Sequence, residues 1–262
     1  MSINSVDDAM RKRVMQQLTD IEFRFDVRVL FACESGSRGW GFASPDSDYD
    51  VRFIYVHKPE WYLRVEPQRD VIEMPIDDEL DISGWDWRKT LGLLKKANPT
   101  LIEWLGSPII YRRDEPTIAA LEQQVPLWFS PLRARWHYYS MAHTNFRGYL
   151  QGETVRLKKY FYVLRPLLAV LWIEAGKGKP PVRFDELLAG CSVDAGVRED
   201  ISLLLVKKRQ AGEAEYGSRL PRLHDFIQRE LSRGEISPEL PDSRTGDIHT
   251  LDKLLMSTVL QK

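Results

Sequence analysis

Two apolar, strand-like runs enclose a polar stretch near the start of the chain, and this arrangement constrains the fold more than any other feature. VRVLFAC (Val27–Cys33) and DVRFIYV (Asp50–Val56) are rich in β-branched and aromatic residues, which favour buried strands. The stretch between them, ESGSRGWGFASPDSDY, is rich in glycine and serine. The sequence therefore predicts two buried strands joined by a flexible connection.

The remaining pattern predicts an α+β first half and a helical second half. Residues 6–22 show helical spacing, and ELDIS (Glu79–Ser83) predicts a third strand. Further elements of the first half are helices at 85–97 and 99–105, a strand at 108–111, and weaker signals at 61–65 and 71–75. Strand signals fade after about residue 114, and helices are predicted at 115–125, 131–150, 153–175, 184–189, 195–212, 219–233 and 249–260. Because strands come first and helices later, we expect domains spanning 1–120 and 121–262, with the boundary between 112 and 130.

The composition limits how this chain can bind nucleic acid and in which compartment we expect it. Among 262 residues, 38 acidic side chains offset 37 basic ones, so any nucleic-acid binding must use a local patch. Cys33 and Cys191 have no CxxC or Cys/His neighbour, which predicts reduced, buried thiols and a cytoplasmic protein. The most apolar window, FYVLRPLLAVLWIEAG, contains an arginine and a proline and is too short to cross a bilayer. The first residues, MSINSVDDAMRKRV, have no apolar core of a signal peptide.

Paired carboxylates at the start of the second strand predict a metal site. Asp48 and Asp50 are two residues apart, so on a strand both side chains point to the same face. Two close carboxylates repel unless a cation lies between them, and oxygen ligands favour Mg²⁺ or Mn²⁺. Asp81, on the third predicted strand, is the candidate third ligand. Three acids nearby keep that choice open: Asp77, Asp78 and Asp86.

The glycine-serine turn before the acids predicts an anion site. Gly36 and Ser37 follow a strand, and such a turn brings backbone N–H groups and one hydroxyl close to a phosphate. Arg38 either reaches the same phosphate or is solvated. A phosphate beside metal-binding acids is the arrangement that phosphoryl transfer needs. The alternative is a polar loop without function, since these residue types are common in turns.

The helical half offers further cations. Lys158 shares a predicted helix face with Tyr162 and Arg165, and Lys159 lies beside it. A second row on the preceding helix consists of Tyr139, His143 and Arg147. If these rows face a nucleotide, they supply cations for its phosphates and rings for its base; packing in the core is the alternative. Lys158 and Lys159 are our candidates for nucleotide binding.

These motifs together resemble a known family. Strand–GS–DxD–strand, followed by an aspartate on a later strand, is similar to the DNA polymerase beta nucleotidyltransferase superfamily. The runs GSRGWGFASPDSDYDVRFIYV, LDISGWDWRKTLGLLKKANPTLIEWLGSPIIY and KKYFYVLRPLLAVLWI resemble its bacterial and phage branch, the RNA repair pathway polymerase-beta-like family, over about residues 28–185.

The resemblance implies a fold, a reaction and residue roles. The fold would be a polymerase-beta-type catalytic core, a mixed sheet with flanking helices, followed by a helical domain that closes the nucleotide site. Gly36 and Ser37 would hold the triphosphate, and Asp48 and Asp50 would bind two metal ions. Asp81 would bind the catalytic ion and help to activate the attacking hydroxyl. The family transfers a nucleoside monophosphate from an NTP to an acceptor hydroxyl and releases pyrophosphate.

Three functions follow as hypotheses. The first is a metal-dependent nucleotidyltransferase that acts on RNA or tRNA ends, with RNA-repair proteins as possible partners. The second keeps the chemistry but modifies a protein or a small molecule. The third is a non-catalytic nucleotide or RNA sensor, or a partner protein that retains the fold, and intact carboxylates argue against it. The preferred NTP, ATP or another, the acceptor and the oligomeric state stay open at this point.

Overall fold

The computed structural model describes residues 6–76, 79–210, 216–236 and 239–261. Its strands are β1 (Val27–Glu34), β2 (Tyr49–His57), β3 (Val71–Glu73), β4 (Leu80–Asp86), β5 (Ile110–Arg113), β6 (Thr154–Arg156) and β7 (Tyr216–Ser218). Its helices are α1 (Asp8–Phe25), α2 (Gly36–Gly39), α3 (Pro59–Tyr62), α4 (Trp87–Lys95), α5 (Pro99–Leu105), α6 (Glu115–Trp128), α7 (Pro131–Tyr149), α8 (Lys159–Glu174), α9 (Phe184–Gly190), α10 (Ala195–Gln210), α11 (Pro221–Gly234) and α12 (Ile248–Val259).

The described residues form two compact units. The sheet unit comprises residues 6–39, 48–129 and 244–261, and the helical unit comprises residues 40–47 and 130–243. The chain therefore leaves the sheet unit after the glycine-serine motif and returns to it at the paired acids. The C-terminal helix α12 packs in the sheet unit, although it follows the helical unit in the sequence. The division into functional domains at residue 120 stays a prediction.

The sheet unit is built on a mixed sheet with the strand order β3-β4-β2-β1-β5. β2 and β4 are parallel, whereas the β1–β2, β1–β5 and β3–β4 pairs are antiparallel. A parallel pair requires a crossover, and the long connection from β2 through α3 and β3 to β4 provides it. This crossover places the start of β2 beside the start of β4.

Helices cover both faces of this sheet because side chains alternate along its central strands. Phe53 points to the face covered by α1, where it belongs to the same buried cluster as Leu18. Ile54 points to the other face, in the cluster to which Trp87 of α4 and Leu251 of α12 belong. Full burial of one such side chain contributes about 1.5–3 kcal/mol, so both clusters hold the sheet rigidly.

The helical unit contains α7 to α11, a small β6–β7 ribbon and the segment 40–47. Phe42 stacks on Phe161 of α8 with ring centroids 5.0 Å apart and meets Phe184 edge-on at 5.5 Å. The backbone N–H of Phe184 donates to the carbonyl of Trp40 at 2.9 Å. The segment that the sequence presents as a polar connection is thus held by an aromatic cluster.

The structure confirms the α+β class and corrects several elements. The prediction of helix from residue 153 is wrong at its start, because 154–156 form β6 and α8 begins at Lys159. The strand predicted at 79–83 continues to Asp86. The helix predicted from residue 85 therefore begins only at Trp87. Gly36–Gly39 form one helical turn. None of the described helices has the length and apolarity that crossing a bilayer requires.

Candidate functional site

Asp50 and Asp81 face each other at the starts of two parallel strands. The β2–β4 register makes them direct partners. Asp50 lies on the same face of β2 as Ile54, which is four residues further along the strand. On β4, Asp81 points to the face opposite to that of its buried neighbours Leu80 and Ile82. The register of β2 and β4 therefore brings these two carboxylates together, and Asp81 lies on a strand beside Asp50 as the sequence predicted.

Arg52 lies between the two carboxylates. Its Nη2 donates to Oδ1 of Asp50 at 3.1 Å and to Oδ2 of Asp81 at 2.7 Å. Its Nη1 donates to the carbonyls of Val51 and Asp81. Side-chain exposures of 18% for Arg52, 28% for Asp50 and 31% for Asp81 leave the cluster open to solvent. Because Arg52 follows Asp50 by two residues on the same strand, the chain supplies its own counter-ion to the acids.

The glycine-serine turn is packed directly against Asp50. The backbone N–H of Ser35 donates to the carbonyl of Asp50 at 2.8 Å. Gly36 has φ = +57°, and a Cβ there would lie 1.8 Å from Oδ2 of Asp50. Position 36 therefore requires glycine twice, for its left-handed backbone and for the space that the carboxylate fills.

Gly36→Ala is expected to lower the free energy of unfolding by about 1–3 kcal/mol, because the methyl group must displace Asp50 or distort the turn. Gly92→Ala is the matched control. Gly92 lies within α4, and nothing lies within 4 Å of a Cβ built there, so alanine should stabilise by about 0.5–1 kcal/mol. Urea denaturation measures both variants. Equal stability of Gly36→Ala and wild type would contradict the close contact.

Glu34 is a buried acid that the sequence prediction missed. It is fully buried, and its Oε1 accepts from the backbone N–H of Asp50 at 3.0 Å. Its Oε2 accepts from the hydroxyl of Tyr111 at 2.6 Å, and its carbonyl accepts from the hydroxyl of Ser107 at 2.5 Å. Burial raises the pKa of Glu34 to about 7. Glu34 thus ties β2, β5 and the glycine-serine turn together at the point where Asp50 begins its strand.

Ser37 and Arg38 are buried rather than solvated, each with about 4% exposure. The Arg38 guanidinium lies 4.0 Å from the centroid of the Tyr49 ring, and its Nε lies 3.9 Å from Oε1 of Glu34. The solvated alternative for Arg38 is therefore wrong. Its contribution to a phosphate site stays a prediction.

The remaining acids near the site differ in position. Asp48 is exposed in the connection before β2. Asp86 is buried and caps α4, accepting from the backbone N–H of Arg88 at 2.8 Å and from the Tyr62 hydroxyl at 2.6 Å, so it serves the fold rather than the carboxylate pair. Asp77 and Asp78 lie outside the described residues. Across the ranges that are described, no group of three or more His, Cys, Asp or Glu side chains is gathered closely enough to hold a metal ion.

Lys158 and Lys159 lie in the helical unit, at the start of α8. Both are half-buried. The Lys159 ammonium lies 3.9 Å from the ring centroid of Tyr149 and 4.7 Å from that of Tyr162. Their proposed contact with a nucleotide stays a prediction.

Among the comparisons with known proteins, the family model shows the family of this chain. A sequence model of the RNA repair pathway DNA polymerase beta family matches residues 10–257. The chain is similar to the uncharacterized protein YcgL of Bacillus subtilis (strain 168), with 45% identity over 251 residues, which cover 95% of this chain and 96% of the relative. A solved nucleotidyltransferase-like protein from Exiguobacterium sibiricum 255-15 aligns at 14% identity with a TM-score of 0.30, over 94% of this chain and 76% of that chain.

Proposed function

Because the chain belongs to the RNA repair pathway DNA polymerase beta family, we propose that it is a metal-dependent nucleotidyltransferase that acts on RNA. The observation that carries this proposal is the direct pairing of Asp50 with Asp81 beside Gly36. Two carboxylates and the glycine-serine turn meet where the parallel strands β2 and β4 begin. This is the combination that a triphosphate with bound cations requires.

The donor chemistry of the site fits Mg²⁺ or Mn²⁺. Asp48, Asp50 and Asp81 offer only oxygen ligands, and Asp50 and Asp81 already share one positive charge, that of Arg52. We propose that these three aspartates hold two ions. When bound, the ions neutralise the triphosphate oxygens and make the acceptor hydroxyl more acidic.

The protein's own residues bind and orient the reactants. The backbone N–H groups and hydroxyl of the Gly36–Ser37 turn hold the triphosphate, with Arg38 contributing positive charge. Asp81 receives the proton of the attacking hydroxyl. A bond forms between that oxygen and the α-phosphorus, the bond from the α-phosphorus to the leaving oxygen breaks, and pyrophosphate departs.

Arg52→Gln should tighten Mn²⁺ binding about fivefold, which corresponds to about 1 kcal/mol for a partly exposed ion pair. Arg52 neutralises both acids in the metal-free protein, so its guanidinium competes with any cation that binds there. Electron paramagnetic resonance titration of Mn²⁺ measures this without an activity assay. Arg24→Gln, an exposed arginine on α1, is the control and should match wild type. Unchanged or weaker Mn²⁺ binding by Arg52→Gln would place the metal elsewhere.

Transfer itself is tested with NTPs labelled at the α-phosphate. Purified protein with Mg²⁺ is expected to move the label to an RNA in a mixed pool of RNA ends, with one NTP preferred. If the label appears on a protein and not on RNA, the acceptor is a protein rather than RNA. Metal-dependent NTP binding without transfer to any acceptor would favour a nucleotide sensor.

A further inference from the structure

A groove in the helical unit is rich in hydrogen-bond donors. It lies between α7 and α11 and encloses about 420 Å³. Its lining consists of His143, Phe146, Arg147, Gln151, Gln228, Arg229, Leu231, Ser232 and Glu235. We call this surface the α7–α11 groove. The volume is within the range of ligand sites in proteins.

Contacts between the two helices fix the walls of the groove. The Tyr139 hydroxyl donates to the carbonyl of Leu231 at 3.1 Å, and the ring of Phe146 lies 5.1 Å from that of His224. Phe146 and Leu231 are buried, with 8% and 5% exposure. The floor of the groove is therefore a packed layer in which the Phe146 ring is buried, whereas its rim is polar. The other ring of the lining, that of His143, stacks on Tyr139 with centroids 6.1 Å apart.

The charged side chains of α7 are all basic. The helix sequence, PLRARWHYYSMAHTNFRGY, contains three arginines and no acid. Arg133 pairs with Asp242 and Arg135 with Glu174. Arg147 is exposed and makes no hydrogen bond or ion pair with any residue that the structure describes. An exposed arginine at the mouth of a groove, with no partner among the described residues, can bind an anion from solution.

The opposite wall adds a second cation. Arg229 on α11 is 61% exposed and lies 3.3 Å from Glu230. Glu230 also pairs with Arg233 at 2.7 Å, and Arg233 in turn pairs with Glu174, the partner of Arg135. In this network of described residues, three arginines share two carboxylates, so the arginines are in excess by one charge. Gln151, Gln228 and Ser232 add neutral donors, and Glu235 is the single carboxylate in the lining. The charged groups of the lining are thus two guanidinium groups and one carboxylate, and its neutral groups can donate as well as accept.

We propose that the α7–α11 groove binds the phosphodiester backbone of single-stranded RNA. Each phosphate presents only acceptor oxygens, which match two arginines and the amide donors, and Glu235 provides an acceptor for a ribose hydroxyl. Because both rings of the lining, His143 and Phe146, are packed against rings of the protein, the groove contacts the backbone rather than the bases. Binding at the groove is therefore independent of sequence and sensitive to salt.

The test measures fluorescence anisotropy of a labelled single-stranded RNA at several salt concentrations. Loss of one phosphate contact lowers the magnitude of the slope of log K against log salt by about 0.7 for single strands. Arg147→Gln and Arg229→Gln should each produce that change, and the double variant about 1.4, with the same loss for two unrelated RNA sequences. Lys12→Gln/Lys253→Gln removes equal charge from exposed positions of the sheet unit and should keep the wild-type slope.

Three outcomes would overturn the proposal. The first is an unchanged slope in the Arg147→Gln/Arg229→Gln variant, and the second is an equal loss in the lysine control. The third is binding of polyglutamate as tight as that of RNA with the same arginine dependence, which would assign the groove to an acidic protein partner. Binding of Mg²⁺ with NTP should be unchanged in the arginine variant, so failure of the transfer proposal and failure of the groove proposal are separate results.

Discussion

Asp50→Asn is expected to reduce nucleotidyl transfer on the order of 10³-fold while leaving the fold intact. The amide keeps the size of the carboxylate but removes the charge that a divalent cation needs. Asp50 is partly exposed, and its bond to Arg52 is one of two that Arg52 makes with acids. The free energy of unfolding should therefore change by less than about 1 kcal/mol.

The transfer of α-phosphate label and urea denaturation together measure this variant. Asp81→Asn should behave in the same way, because Asp81 is the register partner of Asp50. Asp252→Asn removes one exposed acid from α12 and should keep wild-type transfer. Full transfer by Asp50→Asn would remove this residue from the metal site, whereas a large loss of stability would mean that its role is structural.

The second large effect concerns Glu34 and the pH dependence of stability. Burial raises the pKa of this carboxyl from 4.5 to about 7 in the folded protein, so the folded protein keeps a proton that the unfolded chain has released. The resulting stabilisation is complete below about pH 4.5 and is lost as the pH rises through 7. Its size is on the order of 3 kcal/mol.

Glu34→Gln cannot titrate and still accepts one hydrogen bond. The unfolding free energy of metal-free wild type should therefore fall relative to that of Glu34→Gln between about pH 5 and 8, as measured by urea denaturation. Glu66→Gln, an exposed acid of the sheet unit, should follow the wild-type profile. Parallel curves for wild type and Glu34→Gln would show that Glu34 is ionised throughout, despite its burial.

The positions of Asp81 and Gly36 in the fold could be predicted because local sequence pattern determines them. Apolar and polar residues alternate in ELDIS, and this alternation favours Asp81 over the neighbouring acids. In the structure, Leu80 and Ile82 are buried while Asp81 is the partner of Asp50 on the adjacent strand. Likewise, the glycine at position 36 was expected from turn chemistry. Its second cause, the Asp50 carboxylate in the place of a Cβ, depends on packing and has no local signal.

Glu34 could not be predicted, because what buries it comes from distant parts of the chain. The polar residue at the end of an apolar run is usually exposed, and the predicted strand stopped at Cys33. In the structure, β1 includes Glu34, and the Tyr111 hydroxyl from β5 reaches its carboxylate from 77 residues away in sequence. Only the pairing of β1 with β5 brings these two groups together.

The same limit explains the errors in secondary structure. Asp86 ends β4 and caps α4, so a helix predicted from Trp85 begins two residues later. The residues 154–156 pair with 216–218 across a long sequence separation, and three residues carry no periodicity of their own. The aromatic residues of segment 40–47 pack in the helical unit, although their neighbours on both sides belong to the sheet unit.

Calorimetric titration of each NTP with Mg²⁺ into wild type and into the Asp48→Asn/Asp50→Asn variant tests the central claim most directly. We predict that wild type binds one NTP more tightly than the others, that binding requires Mg²⁺, and that the double variant loses it while remaining folded. Equal NTP binding by wild type and the double variant, or no binding by wild type, would contradict a metal-dependent nucleotide site at these aspartates.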